Sequence, residues 1–171
     1  MLKESVEKAL NEQINAELYS AYLYQSMAAY FEDKSLDGFA RWMDLQAKEE
    51  QAHTRKIYDY VNERGGRVIL EGIDKPKSDW NSSLEVFEES LAHEEKITAM
   101  INDLVALADE EKDYATHSFL QWFVDEQVEE ENHVGEIVHK LKLIGDSTQG
   151  IFMMNDKLGG RTQSAAEGEA R

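Results

Sequence analysis

The chain has 171 residues, 42% hydrophobic and 31% charged, with one proline and no cysteine. That length suits one core of ordinary size, and the scarcity of proline suits long helices. The lack of cysteine excludes disulfides, zinc–thiolate sites, iron–sulfur ligation and thiol nucleophiles, which leaves carboxylate, imidazole and amide groups as metal ligands. The formal net charge of −17 disfavours nucleic acid and anionic membranes as partners and favours cations. No stretch approaches the roughly 20 apolar residues of a membrane span, and Met1-Leu2-Lys3-Glu4-Ser5 enters an amphipathic pattern without an apolar signal core. A cytoplasmic location is the expectation.

Four long windows carry apolar residues at steps of three and four, the period of one helix face. In residues 3–32 the stripe runs Val6, Leu10, Ile14, Glu17, Ala21, Tyr24, Ala28, Phe31. Asp33-Lys34-Ser35 marks a short connection to the second window, 37–64, with Phe39, Met43, Gln46, Glu50, His53, Ile57 and Tyr60. Between 65 and 82 lie Gly65-Gly66, the β-prone run Arg67-Val68-Ile69-Leu70 and Pro76. At about 3.3 Å per extended residue this stretch is long enough to run the length of a helix, so it reads as a crossover.

Ser82-x-x-Glu85 is a candidate capping box for the third helix, 83–111, whose stripe is Phe87, Leu91, Glu94, Thr98, Ile101, Val105, Ala108. Asp113 is positioned to cap the fourth, 114–144, with Leu120, Phe123, Gln127, Glu130, Val134, Ile137, Leu141 and Ile144. Gly145 ends that helix. Residues 147–158 form a short fifth element, closed by Gly159-Gly160. The expected organisation is all-α: two antiparallel hairpins joined by a long crossover into a four-helix bundle, one domain over 1–160, and a mobile polar tail over 161–171.

The informative feature is what interrupts the stripes. Each long helix places a glutamate near its middle on the apolar face: Glu17, Glu50, Glu94 and Glu130. At 1.5 Å per residue, Glu17 and Glu50 lie roughly 22 and 20 Å from their shared turn, and Glu94 and Glu130 are similarly level. Four carboxylates at one depth repel one another unless cations sit among them. Two of them begin a Glu-x-x-His motif, Glu50/His53 and Glu130/His133, whose spacing puts both side chains on one face. Phe39, Trp42, Glu49, Glu50, His53 and Ile57 recur 80 residues later as Phe119, Trp122, Glu129, Glu130, His133 and Ile137. The repeat implies two helix pairs about a pseudo-twofold axis, each supplying half of a dinuclear carboxylate site, an arrangement known in helical bundles. A single Glu-x-x-His is equally the pattern of a structural ion pair; two, with two level glutamates, point to metal. His133, beside Asn132, points either to the site or to solvent. Tyr24, two turns from Glu17 on one face, is placed to reach a ligating carboxylate. His93, His117 and His139 fit surface or packing roles.

Asn11 to Ser20, Glu49-Glu50-Gln51-Ala52-His53 and Gln121 to Glu131 resemble the ferritin family, and the likeness to prokaryotic non-haem ferritins extends over nearly the whole chain. The resemblance implies iron storage in a hollow 24-subunit homo-oligomer, the fifth helix near a fourfold axis, and ferroxidase chemistry in which O₂ or H₂O₂ oxidises Fe²⁺. It implies two irons per subunit: Glu17, Glu50 and His53 at the first, with Glu50 bridging to a second held by Glu94 and Glu130, and Gln127 nearby. Glu49, Glu126 and Glu129, assisted by Glu130, match a third, flanking iron site. His133 falls where bacterioferritins place a second histidine ligand. The methionine by which those relatives bind haem is replaced by Gln51, so no haem is expected. Rival readings are another di-iron bundle oxidase or peroxidase, a haem-free bacterioferritin-like protein, or a bundle whose buried charges pair without metal.

Overall fold

A computed structural model describes residues 2–161. Helices α1 (Glu4–Asp33), α2 (Asp37–Glu63), α3 (Ser83–Glu110) and α4 (Tyr114–Ile144) form a four-helix bundle, followed by the short α5 (Thr148–Gly159). No β-strand occurs among the described residues. α1 pairs with α2 and α3 with α4, α1 also meets α3, and α5 lies mainly on α2. Of the tail expected from 161 onward, only Arg161 is among the described residues, and its side chain is bonded to α2.

Three helix C-termini close in one way. Leu36 N–H donates to Phe31 O at 3.0 Å, Gly66 N–H to Val61 O at 2.9 Å, and Asp113 N–H to Ala108 O at 2.8 Å. Each bond reaches back over a residue with positive φ: Ser35 at 56°, Gly65 at 73° and Lys112 at 55°. This is the left-handed helix stop that satisfies orphaned carbonyls. Asp113 accepts from Thr116 N–H as α4 begins. Ser82 Oγ accepts from Glu85 N–H, but the reciprocal half of the expected capping box is shifted. Glu85 accepts from Asn81 N–H, one residue further upstream, and also holds Lys77. α5 continues through Gly159, the residue expected to end it.

The crossover is pinned along its length. The Asn11 side chain donates to Arg67 O and accepts from Ile69 N–H, so the β-prone run finds a side chain as its backbone partner. Ser26 donates to Lys77 O, and buried Trp80 packs edge-on to Tyr30 while its indole N–H donates to Glu89.

Two apolar clusters fill the bundle. One gathers Met27, Phe31, Phe39, Met43, Phe87, Val138 and Leu141 at the end of the short α1–α2 turn. The other gathers Val6, Leu10, Ile57, Val61, Ile101, Leu104 and Leu120 at the opposite end. The start of α3 and the end of α4 share the first cluster, so the crossover must return along the whole bundle. Burying large apolar side chains contributes about 1.5–3 kcal/mol each, which offsets the polar layer that separates the two clusters. α5 is fastened to the first. Asn155 Oδ1 accepts from Gly38 and Phe39 N–H, and Met154 is buried among the aromatic residues. A Cβ on Gly38 would lie 1.9 Å from Asn155 O, so the close approach of α5 to the start of α2 requires glycine there.

Candidate metal centre

The layer between the clusters holds the interrupting glutamates. Glu17, Glu50 and Glu94 are 1–2% exposed, His53 is 5% and Glu130 is 6%. The stripe positions carry them inward because each occupies a slot that a leucine would fill in a plain bundle. One ligand atom from each of Glu17, Glu50 and His53 falls within 4.8 Å of the other two. His53 Nδ1 lies 3.3 Å from Glu50 Oε2, and its ring is set edge-on against Trp122 and Phe123. Thr54 bonds back to Glu50 O, stiffening that turn of α2.

The donors around these acids are few. Gln13 Nε2 donates to Glu17 Oε1 at 2.7 Å. Glu17 Oε2 is buried and accepts from no N–H or hydroxyl among the described residues, while the Glu17 carboxyl meets that of Glu50. On the α3–α4 side, Glu94 accepts from the Tyr24 hydroxyl and from Gln127 Nε2, the latter at 3.2 Å. Gln127 also approaches Thr98 at 3.2 Å, and Gln46 Nε2 donates to Glu130 Oε2 at 2.8 Å. No lysine or arginine is bonded to Glu17, Glu50, Glu94 or Glu130 among the described residues.

Burial and mutual repulsion dominate the electrostatics. Burial, then the Glu50 charge, pushes the Glu17 carboxyl well above the ordinary carboxylate range. Burial, then Glu94, does the same to Glu50. Burial, then Glu130, raises Glu94 to about 7. The Tyr24 phenol is raised by burial and by the Glu94 charge. No lysine or arginine supplies this layer with positive charge among the described residues. A divalent cation would supply it, and hard carboxylate oxygens with one imidazole suit iron, zinc or manganese. Two abutting carboxyl groups with no lysine or arginine partner and three convergent ligand atoms fit a cation better than a self-contained ion-pair network.

The cluster opens on one side into a cleft of about 570 Å³, lined in part by Glu49, His53, Glu126, Glu129, Glu130 and His133. Glu129 and His133 are exposed, and Glu126 is half-buried. The two Glu-x-x-His motifs are therefore not equivalent: His53 turns into the cluster, whereas His133 stands at the cleft. His93 is buried and bonds to Ser20 Oγ at 2.7 Å, with burial lowering its pKa to about 4, so it packs rather than facing solvent. His117 is half-buried and His139 exposed. Sequence reasoning missed Gln13 and Arg161. Gln13 sits one turn before Glu17, a spacing that signals contact. Arg161 gave no signal, lying in a polar segment far from every motif.

A bundle with a buried carboxylate–histidine layer between two apolar clusters belongs to the class of helical proteins built to hold metal ions on facing helices. A protein-family model, Ferritin (ferritin-like domain), matches residues 7–144. The chain belongs to this ferritin family. It is 44% identical over 167 residues to a bacterial non-heme ferritin of Staphylococcus saprophyticus, covering 98% of this chain and 100% of that one. It is 46% identical to the corresponding protein of Staphylococcus epidermidis, over 95% of this chain and 98% of that one. Among solved structures, an open-pore ferritin from the hyperthermophilic archaeon Archaeoglobus fulgidus superposes with a TM-score of 0.94 at 48% identity, over 95% of this chain and 100% of that one.

Proposed function

We propose that the protein is a ferroxidase and iron store, with Fe²⁺ as substrate and ferric mineral as cargo. The observation that carries this reading is the convergence of Glu17, Glu50 and His53 within 4.8 Å at a buried point where one carboxylate oxygen has no N–H or hydroxyl donor. These three residues bind the first Fe²⁺. Glu50 also serves a second Fe²⁺ taken by Glu94 and Glu130, with Gln127 and Tyr24 orienting Glu94 through their hydrogen bonds. Two irons per subunit is the resulting stoichiometry at this centre.

The protein's part in the chemistry is electrostatic and geometric. Anionic ligands favour Fe³⁺ over Fe²⁺, which makes each bound ion a better one-electron donor. O₂ accepts one electron from each of two Fe²⁺ and, with two protons, leaves as H₂O₂; H₂O₂ is an alternative two-electron acceptor. The carboxyls, held high in pKa by burial, release protons as the metal binds. The apolar clusters above and below keep bulk water from the pair. Ligands on packed helices keep their places between turnovers.

Glu49, Glu126 and Glu129, with Glu130 and His133, form a flanking site through which oxidised iron leaves for the interior of a multisubunit shell. A 24-subunit assembly in the cytoplasm fits the family, and no described helix is long and apolar enough to cross a membrane. No haem takes part in this reading. The test is diffraction at the iron absorption edge after anaerobic Fe²⁺ loading, together with stopped-flow oxidation. Two peaks inside the bundle and rapid O₂ uptake are expected, and peaks confined to the surface overturn the assignment.

A further inference from the structure

Lys140, Lys157 and Arg161 line the cleft among its acids, and Arg161 is the one bonded to Glu49. Arg161 Nη2 donates to both oxygens of Glu49 at 2.8 Å, and its Nη1 donates to Gln46 Oε1. The guanidinium carbon stands 5.3 Å from the centre of the Trp42 ring. Both partners of the ion pair are largely covered, at 21% and 15% exposure. A bidentate pair in such a place is stronger and better oriented than a surface pair.

Gln46 extends the contact inward. While its Oε1 faces Arg161, its Nε2 donates to Glu130 Oε2 at 2.8 Å. Arg161 is thus one side chain removed from a carboxylate of the buried layer and in direct contact with a carboxylate of the cleft. Its reach is set by α5, because Asn155 clamps that helix to Gly38 and Phe39 and so delivers Arg161 to the cleft.

We propose that Arg161 is a resident counter-cation in the cleft: a metal ion gains Glu49 only by exchange with the Arg161 guanidinium, which couples the end of α5 to passage of iron out of the buried centre. The inference rests on the ferroxidase reading. It makes Arg161 a positioning residue, acting on the metal through Glu49 and Gln46. The exchange follows from charge: guanidinium and metal compete for the same carboxylate oxygens, and a metal arriving beside an immobile guanidinium meets a like charge in a partly dry cleft.

The experiment compares the assembled wild-type protein with Arg161→Gln and Arg161→Lys. Anaerobic calorimetric titration with Fe²⁺, and with redox-inert Zn²⁺, resolves the buried and cleft classes of site. Zinc-edge diffraction assigns them. Arg161→Gln is expected to tighten the cleft class about tenfold and leave the buried class within about twofold. Arg161→Lys keeps the charge but not the bidentate geometry, so its cleft affinity falls between the two. Glu49→Gln added to Arg161→Gln removes the gain. In multi-turnover oxidation Arg161→Gln raises kcat several-fold and leaves the Fe²⁺ KM of the buried centre unchanged. Equal cleft affinity in wild type, Arg161→Gln and Arg161→Lys, with the buried class intact, overturns the inference alone. So does zinc on Glu49 with Arg161 still paired to it. Absence of buried-class binding in wild type overturns the ferroxidase reading, and this inference with it.

Discussion

The Tyr24 hydroxyl donates to Glu94 Oε1 across the middle of the bundle, tying α1 to α3 at the height of the metal cluster. The phenol is fully buried and edge-on to Trp42, 6.4 Å between ring centres. The bond leaves one Glu94 oxygen oriented by Tyr24 and the other by Gln127. Tyr24→Phe removes a donor without changing shape, so the bundle should assemble normally while Glu94 loses one of its two anchors. The expected outcome is a roughly tenfold slower oxidation of Fe²⁺ in stopped-flow traces, within the range for residues that orient a metal ligand. An unchanged rate assigns the phenol to packing alone.

In the proposed centre Glu50 and His53 form the core of the first metal position, so losing either removes more than an orienting contact. Glu50→Ala and His53→Ala are each expected to lower the initial oxidation rate by about 100-fold or more, with the far-ultraviolet circular dichroism of the bundle preserved. Wild-type rates in either variant would sink the assigned centre.

Metal binding to this layer displaces protons, and the direction with pH follows from the raised carboxyls. Burial and Glu130 hold Glu94 at about 7, so the group carries a proton below that pH and competes with the incoming cation. Zn²⁺ affinity at the buried centre should therefore rise as pH increases through 7. Titrations at pH 6 in buffers of different ionisation enthalpy should report at least about one proton released per site, and fewer at pH 8.

The same carboxyl weakens the metal-free protein. Above pH 7 Glu94 is ionised among other acids, and an uncompensated buried charge is destabilising. Glu94→Gln keeps the shape and an acceptor for Tyr24 while removing the charge. At pH 8 it is expected to raise the melting temperature of the metal-free protein by about 4 °C, equivalent to about 1–2 kcal/mol, and to abolish stabilisation by added Zn²⁺. Scanning calorimetry with and without chelator reads both effects. A lower melting temperature shows that the carboxylate stabilises the metal-free bundle.

Gly38 is the point where α5 meets α2. Gly38→Ala puts a methyl group against Asn155 O, and because the obstacle is backbone the helix must move. Overpacking of this kind costs about 1–3 kcal/mol. The variant should melt at a lower temperature, and α5 should show faster amide exchange than the four long helices. Equal exchange in the two proteins would place the strain elsewhere.

The bundle itself was legible in the residues because its physics is local and periodic. Apolar side chains at steps of three and four locate Val6 to Phe31 on one face whatever the helix packs against. Asp113 caps α4 from the position its type predicts. The buried carboxylate layer was legible for a related reason: Glu17, Glu50, Glu94 and Glu130 stand in apolar stripes where charge is out of place, at heights that helix rise alone makes equal. Where local chemistry allows two solutions, the fold chose. The repeat made His53 and His133 equivalent, but the first is enclosed by Trp122 and Phe123 while the second stands at an open cleft. Arg161 on Glu49, and Asn155 on Gly38, join residues more than a hundred positions apart. No periodicity encodes such pairs. They exist because α5 docks on α2, and that docking depends on how two surfaces fit once both are built.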